Sequence, residues 1–207
     1  TQMREAAITA GRDPKEILLC AATKMNDAEN VRQAIAAGVD CCGENRVQEL
    51  TQKLSENAYE GAPVHFIGHL QTNKVKMIAP FVSLIASVDS DRLVEEIEKQ
   101  AAKNNRTIDI LLEVHVADEE TKSGWDIEEL RSYLASGALD AMSHIRVRGV
   151  MTIATNTDDE ATIRRDFQAI RDIFEELKPR FGEAFDTLSI GMSDDYPIAL
   201  ACGSTMV

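Results

Sequence analysis

Hydrophobic positions along the chain form short uninterrupted runs that alternate with stretches of helical period. Eight runs, each bounded by polar or glycine-rich turns, predict strands over residues 17–22, 39–42, 64–67, 81–88, 108–116, 145–153, 187–190 and 205–207. Between them apolar residues recur every three or four positions, which predicts helices. The clearest stripe comprises Ile163, Phe167, Ile170, Phe174 and Leu177. Strand and helix therefore alternate along the whole chain.

This alternation predicts an α/β fold with a parallel sheet. Eight β/α repeats in about 200 residues match a compact (β/α)8 barrel of the TIM type, with a doubly wound open sheet as the alternative. Nearly continuous apolar runs such as residues 108–112 suit a sheet that helices cover. No linker or change of composition divides the sequence, so we expect one domain over residues 1–207.

Local signals predict where individual helices begin and end. Asn26, followed by Glu29 three residues later, resembles a capping box at a helix start. Gly11, Gly38 and Gly137 each follow a helical stretch, where glycine commonly ends a helix.

Composition narrows the classes of function. The 22 Lys and Arg residues against 35 Asp and Glu residues give a net charge of −13, which repels nucleic-acid phosphates and anionic membrane surfaces. No segment approaches the roughly 20 apolar residues of a membrane span, and the first residues lack the apolar core of a signal peptide. The four cysteines show no C-x-x-C spacing and lie in apolar surroundings, as reduced thiols do. We therefore expect a cytoplasmic protein that binds neither nucleic acid nor membranes.

In such a barrel the chemistry lies at the carboxyl ends of the strands, which directs attention to the residues after each run. Lys24 follows the first run, and apolar walls beneath it would favour the neutral amine that attacks an aldehyde. From its position alone, Lys24 is more simply a solvated lysine at a strand end. His65 and His69 do not form a zinc pair, because four residues of a strand span about 13 Å.

Several segments together carry a family resemblance. They are AATK (21–24), GENRVQE (43–49), HFIGHLQTNK (65–74), SVDS (87–90), EETKSG (119–124), RGVMTI (148–153), LSIGMSDDY (188–196) and GSTMV (203–207). This set closely resembles the pyridoxal-phosphate homeostasis proteins, the family of the YggS and PROSC type. The resemblance implies a single barrel like the N-terminal domain of alanine racemase, which is fold type III of the pyridoxal 5′-phosphate (PLP) proteins. It also implies that Lys24 carries PLP as a Schiff base.

Two departures limit this transfer. The family often has S-K-T-K-P where this chain has Thr23-Lys24-Met25-Asn26-Asp27, so the second lysine and the proline are absent. The family also normally continues past Val207 with Arg-Ile-Gly and a closing helix. We therefore expect the last strand and helix to be incomplete, and the arginine expected near the pyridine nitrogen is not in this sequence.

The other expected cofactor-binding residues follow from the barrel rule together with the resemblance. A barrel phosphate site is built by the loops after strands seven and eight, which suggests Ser193 in the first loop. We place the other loop at three residues, namely Gly203, Ser204 and Thr205. Ser193 also fits an N-cap before Asp194 and Asp195, and one residue can fill both roles.

Three further side chains near the expected mouth carry separate expectations. Asn45 either binds the cofactor ring or caps the following helix, and His69 is expected to line the pocket. Lys122 is expected to be a solvated loop lysine, or alternatively a residue that gates the mouth. We expect no metal.

Three functions fit these residues. The resemblance implies a PLP carrier without substantial turnover, acting in PLP homeostasis and amino-acid metabolism, with PLP-dependent apoenzymes as possible partners and a monomeric state. The alternative is a PLP-dependent amino-acid racemase, which needs a second base opposite the lysine. Among Tyr59, Tyr133 and Tyr196 we identify no such base. A cofactor-free Schiff-base aldolase is a third possibility.

Overall fold

Seven parallel strands form one sheet in the computed structural model, which describes residues 2–120 and 123–207. The strands are β1 (Cys20–Ala22), β2 (Cys41–Glu44), β3 (Val64–Phe66), β4 (Leu84–Val88), β5 (Ile108–Glu113), β6 (Ile145–Met151) and β7 (Thr187–Ser189). They pair in chain order, each with the next. Sequential parallel pairing with a helical crossover between neighbours is the topology of a (β/α) barrel.

In the eighth predicted strand, residues 205–207, one residue forms β-bridges to the sheet. Met206 forms parallel bridges to Leu18, just before β1, and to Ser189 at the end of β7. The amide of Leu18 donates to the Thr205 carbonyl at 2.8 Å, and the amide of Cys20 donates to the Val207 carbonyl at 2.8 Å. These residues therefore lie between the two edge strands and close the ring.

Helices cover the outside of the sheet. They are α1 (Gln2–Thr9), α2 (Ala28–Ala36), α3 (Val47–Ser55), α4 (Val75–Ile78), α5 (Asp91–Lys103), α6 (Ile127–Ala135), α7 (Glu160–Phe181) and α8 (Tyr196–Ala201). Short 3-10 turns occupy Pro14–Glu16, Thr72–Lys74, Ala138–Ala141 and Gly182–Ala184. The predicted apolar stripe of α7 is buried at all five positions, which confirms the sequence pattern.

Alternation along the strands divides their side chains into two layers. One face packs against the helices in the main core, which includes Phe66, Ile85, Ile110 and Phe167. The other face fills the barrel with a smaller cluster of Ile67, Leu84, Ala86, Leu111 and Met151. Polar side chains on either face are therefore conspicuous, because most of their neighbours are apolar.

Several predicted strand boundaries were wrong by two or three residues, and the second and fourth strands are examples. The second strand begins at Cys41, two residues later than predicted, and continues to Glu44, whose buried side chain finds polar partners. The fourth strand begins at Leu84 because Phe81 lies in an exposed turn. Both errors arise where an apolar run and a strand do not coincide.

The predicted helix ends agree with the structure except at the start of α2. Its N-cap is Asp27, whose carboxylate accepts a hydrogen bond from the amide of Asn30 at 2.8 Å, so the Asn26 capping box was wrong by one residue. Gly11, Gly38 and Gly137 have φ angles of 71°, 95° and 75° just beyond α1, α2 and α6. Glycine adopts this left-handed conformation without a Cβ penalty, which confirms the predicted helix ends.

Candidate functional site

The carboxyl ends of the strands bring most of the predicted site residues to one edge of the barrel, here called the mouth. Lys24 follows β1, Asn45 follows β2, His69 follows β3 and Ser193 follows β7. Because all the strands are parallel, residues that follow them lie at the same edge.

Lys24 lies in an exposed turn two residues after β1. Within the described part of the chain, its amine makes no hydrogen bond or ion pair. The following residue, Met25, has a φ of 61°, a left-handed conformation that an L-residue adopts only under constraint. The expectation that apolar walls desolvate the Lys24 amine was wrong, because the strand ends at Ala22 and the lysine projects beyond it.

A second lysine, Lys53 of α3, is held below this turn. Its side chain is only 5% exposed, and its Nζ donates to Glu44 Oε1 at 2.8 Å and to the Thr23 carbonyl at 2.7 Å. Glu44 Oε1 also accepts hydrogen bonds from the Thr23 hydroxyl at 2.7 Å and from the Tyr59 hydroxyl at 3.0 Å. This buried network joins the end of β1 to β2 and α3.

Glu49 extends the network to the turn itself. Its carboxylate accepts from Lys53 Nζ at 2.8 Å and from the amide of Met25. Burial alone would raise the pKa of Glu49, but these hydrogen bonds outweigh it and the pKa lies below its ordinary value. The network thus fixes the backbone on both sides of Lys24. The sequence did not predict this network, because the pairing of Glu44 with Lys53 depends on how α3 packs on β2.

Asn45 meets the loop after β3 at a glycine. A Cβ at Gly68 would lie 2.5 Å from Asn45 Cβ and 2.7 Å from its Cα, so only glycine allows this approach. The N-cap position of α3 is Arg46, and no side chain caps it. Asn45 is therefore not a cap, and its half-buried side chain lies at the mouth.

Two carboxyl groups lie at the mouth beside His69. The His69 side chain is 67% exposed, and its Nδ1 lies 3.9 Å from Asp89 Oδ2. Burial raises the pKa of Asp89 above its ordinary value. Burial also raises the pKa of Glu113 at the end of β5, whose Oε1 accepts a hydrogen bond from the Ser123 hydroxyl at 2.9 Å. Glu113 was not among the predicted site residues, because the predicted strand continued to residue 116. It lies two residues after the interior Leu111, and this spacing, which places both on one face of β5, was the available signal.

Ser193 lies in an exposed turn between β7 and α8. The N-cap of α8 is Asp195, so the alternative reading of Ser193 as the N-cap was wrong. Asp195 Oδ1 accepts from the amide of Met192 at 2.6 Å. Gly191 has a φ of 102°, and a Cβ there would lie 2.7 Å from Ala199 Cβ, so glycine brings the turn close to α8. Lys122 lies outside the described residues.

Gly203, Ser204 and Thr205 precede the bridging residue Met206, so the expectation that they form the loop after strand eight was wrong. Thr205 precedes the bridging residue and is level with Leu18, six residues before Lys24. The Ser204 hydroxyl is fully buried and lies 2.8 Å from the Ile190 carbonyl. The barrel rule concerns residues after a strand, and these three precede one.

Two surface clefts lie elsewhere. One, of about 410 Å³, is lined by Pro63, Val64 and Ser83 at the starts of β3 and β4. The other, of about 350 Å³, includes Asp186, Leu188 and Thr205 near the start of β7. We favour the mouth over both, because barrel chemistry lies at the carboxyl ends and the free amine is there. No helix in the described part of the chain is long and apolar enough to cross a membrane.

Sequence comparisons connect the chain to one group of proteins. The family model of the alanine racemase N-terminal domain matches residues 13–207. The pyridoxal phosphate homeostasis protein of Aquifex aeolicus is 37% identical, with 100% of this chain and 90% of the relative aligned. The protein of the same name from Escherichia coli K12 is 36% identical over 98% of this chain and 86% of its own length.

Solved structures agree with this comparison. A protein of unknown function from Bifidobacterium adolescentis superposes with a TM-score of 0.89 at 35% identity, covering 100% of this chain and 87% of that one. PipY of Synechococcus elongatus with PLP bound gives a TM-score of 0.85 at 32% identity, covering 99% and 96%. Alanine racemase of Streptomyces lavendulae gives a TM-score of 0.79 at 16% identity over 99% of this chain and 52% of that chain, which shows a shared fold.

Proposed function

Because the chain belongs to the family of the pyridoxal phosphate homeostasis proteins, we propose that it binds PLP through Lys24 and carries the cofactor in PLP homeostasis. One observation carries the assignment of the lysine. Of the two lysines near the end of β1, Lys53 of α3 is buried in hydrogen bonds, whereas Lys24 is exposed and without a partner in the described residues. The relative PipY has been solved with PLP bound.

The donor set at the mouth fits this cofactor. Bound PLP supplies a reactive aldehyde on an aromatic ring and a phosphate group. Lys24 provides the amine that an aldehyde requires, Asn45 an amide for a ring oxygen, and Ser193 a hydroxyl donor for phosphate. His69 lines the rim. We propose these four as the cofactor-binding residues, with no role for Gly203, Ser204 or Thr205.

The network under the turn supports the carrier role by fixing the position of the lysine. Lys53 holds the Thr23 carbonyl before Lys24, and Glu49 holds the Met25 amide after it. The amine is thereby presented from a fixed backbone while its own side chain stays free to react. An exposed lysine at an open mouth also allows another amine to reach and displace it, as delivery of the cofactor requires.

A racemase needs a second base facing the lysine, and the tyrosines do not offer one. Tyr59 donates to Glu44 in the layer outside the barrel, Tyr133 stacks on Trp125 with ring centroids 5.3 Å apart, and Tyr196 packs against a core cluster with Ala7. Without a positioned proton donor, general acid–base catalysis loses about 10²- to 10⁴-fold. We therefore propose a carrier in the cytoplasm, with PLP-dependent apoenzymes as the recipients.

Two measurements on the PLP-loaded protein test the carrier function. We expect the loaded chain to reactivate a PLP-dependent apoenzyme, and the Lys24→Ala variant to fail in the same assay. In deuterium oxide, we expect free amino acids to exchange their α-proton no faster with the loaded protein than with free PLP. Exchange at enzyme-like rates would contradict the carrier function and support a racemase. A loaded protein that keeps its PLP and reactivates no apoenzyme would contradict the proposed delivery of the cofactor.

A further inference from the structure

Three residues with metal-binding side chains meet inside the barrel, below the mouth. Cys20, Cys41 and His65 come from the three consecutive strands β1, β2 and β3, where Cys20 pairs with Cys41 and Gly43 pairs with His65. They lie on the inner face: a Cβ at Gly43 would lie 3.1 Å from Cys20 Sγ and 2.7 Å from Ile67, a residue of the interior cluster. The absent side chain of Gly43 leaves room for the thiol.

The spacing of the ligand atoms matches a tetrahedral metal. One ligand atom from each residue lies within 4.8 Å of the other two, and Cys41 Sγ is 3.6 Å from His65 Nδ1. Zinc bonds of about 2.3 Å to sulfur and 2.0–2.1 Å to nitrogen, at tetrahedral angles, place sulfur and nitrogen about 3.6 Å apart and two sulfurs about 3.8 Å apart. The contraction still required is of the order of a side-chain adjustment.

We propose that Cys20, Cys41 and His65 bind one Zn²⁺ ion inside the barrel. Two thiolates and an imidazole suit zinc, whereas magnesium, calcium and manganese prefer oxygen ligands. In the described part of the chain this is the one group of three or more His, Cys, Asp or Glu side chains that could hold a metal. Cys41 and His65 are buried, and the half-buried Cys20 leaves the fourth position to water.

The consequence of this site is a cross-link between the three strands whose ends carry Lys24, Asn45 and His69. Each thiol gives up its proton to solvent when its Zn–S bond forms, so binding releases two protons and weakens as the pH falls. Zinc at 100 times its dissociation constant should raise the Tm by about 5–10 °C for a chain of this size.

Metal uptake by the reduced, full-length chain tests the proposal before any PLP is added. After equilibration with Zn²⁺ and dialysis, we expect one zinc per chain by elemental analysis. Co²⁺ in place of zinc should give the intense sulfur-to-metal absorption of a thiolate complex. We expect Cys20→Ala and Cys41→Ala to lower the affinity by more than 100-fold, since losing even an outer partner of a ligand costs about 10- to 100-fold.

Cys42→Ala is the matched control. Cys42 is the next residue on β2, is equally buried, and faces the helix layer instead of the interior. This variant should keep full zinc uptake and the cobalt absorption. Cys20 is only half-buried, so its alanine variant tests the site even if Cys41→Ala fails to fold. No uptake by the wild type, or equal uptake by the wild type and the Cys20→Ala variant, overturns the proposal.

Discussion

At the scale of single residues, the two lysines near the end of β1 differ in burial. Lys53 is held among Glu44, Glu49 and the Thr23 carbonyl, and its charge is part of a buried pair. Lys24, the residue directly after Thr23, is exposed. The same residue type therefore serves as a structural cation in one place and as a candidate nucleophile in the other.

Replacing Lys53 by the similarly shaped methionine tests this structural role. Lys53→Met leaves the buried Glu44 carboxylate without its cation, which typically costs about 3–5 kcal/mol in the free energy of unfolding. Urea unfolding should show this loss, and the variant should also bind PLP more weakly. Lys99→Met on the exposed face of α5 is the control and should change stability by about 0.5 kcal/mol or less. A Lys53→Met variant as stable as this control would contradict the role.

Glu113 gives a pH-dependent prediction at the mouth. Its folded-state pKa is raised by burial above the unfolded value of about 4.3, so the folded state loses stability as the pH rises from about 4 to 7. Glu113→Gln removes this effect and should be more stable than the wild type at pH 7, with a smaller advantage at pH 4. Urea midpoints at the two pH values measure it. The exposed Glu183→Gln control should show no such trend. A stability advantage of Glu113→Gln over the wild type that is smaller at pH 7 than at pH 4 would contradict this prediction.

Some of these positions could be predicted from the sequence, and others could not. The rule that chemistry follows the strands predicted one common edge for Lys24, Asn45 and His69, and the structure places them there, because that rule needs only strand direction. It misplaced Gly203, Ser204 and Thr205, which precede their strand. Glu44 with Lys53, and Cys20 with Cys41 and His65, could not be paired from sequence, because each grouping depends on register between elements distant in the chain.

At the scale of elements, strong periodicity predicted helices well and apolar runs predicted strands only approximately. The five-residue stripe of α7 is buried throughout. Short elements such as α4 and α8, with four and six residues, carry too few positions for a period to emerge. Strand ends shifted where a polar residue such as Glu44 continued the strand through buried hydrogen bonds.

The stripe of α7 makes a testable contribution to stability. Phe167 is fully buried against the sheet, and Phe167→Ala removes its ring and leaves a cavity, which typically costs about 3–5 kcal/mol. Chemical denaturation of this variant should show the loss. Gln168→Ala, on the exposed side of the same helix, should cost about 0.5 kcal/mol or less. Equal stability of the two variants would mean that the α7 stripe does not anchor the barrel.

At the scale of the whole molecule, the barrel presents a mouth with an exposed lysine above a filled interior. The ring closes through residues 205–207, where Met206 forms bridges to both edge strands, and the mouth is formed by loops that follow different strands. The shared fold with alanine racemases at 16% identity gives the framework, whereas the relatives at 36–37% identity give the family. The assignment of Lys24 within that framework is the central claim.

Peptide mapping after borohydride reduction tests this claim most directly. The chain is loaded with PLP, reduced so that the lysine linkage becomes permanent, digested and analysed by mass spectrometry. We predict one pyridoxyl group, on Lys24, with labelling lost in Lys24→Ala and retained in the Lys74→Ala control. A pyridoxyl group found instead on Lys53, Lys74 or Lys122, with Lys24 unmodified, would contradict the account.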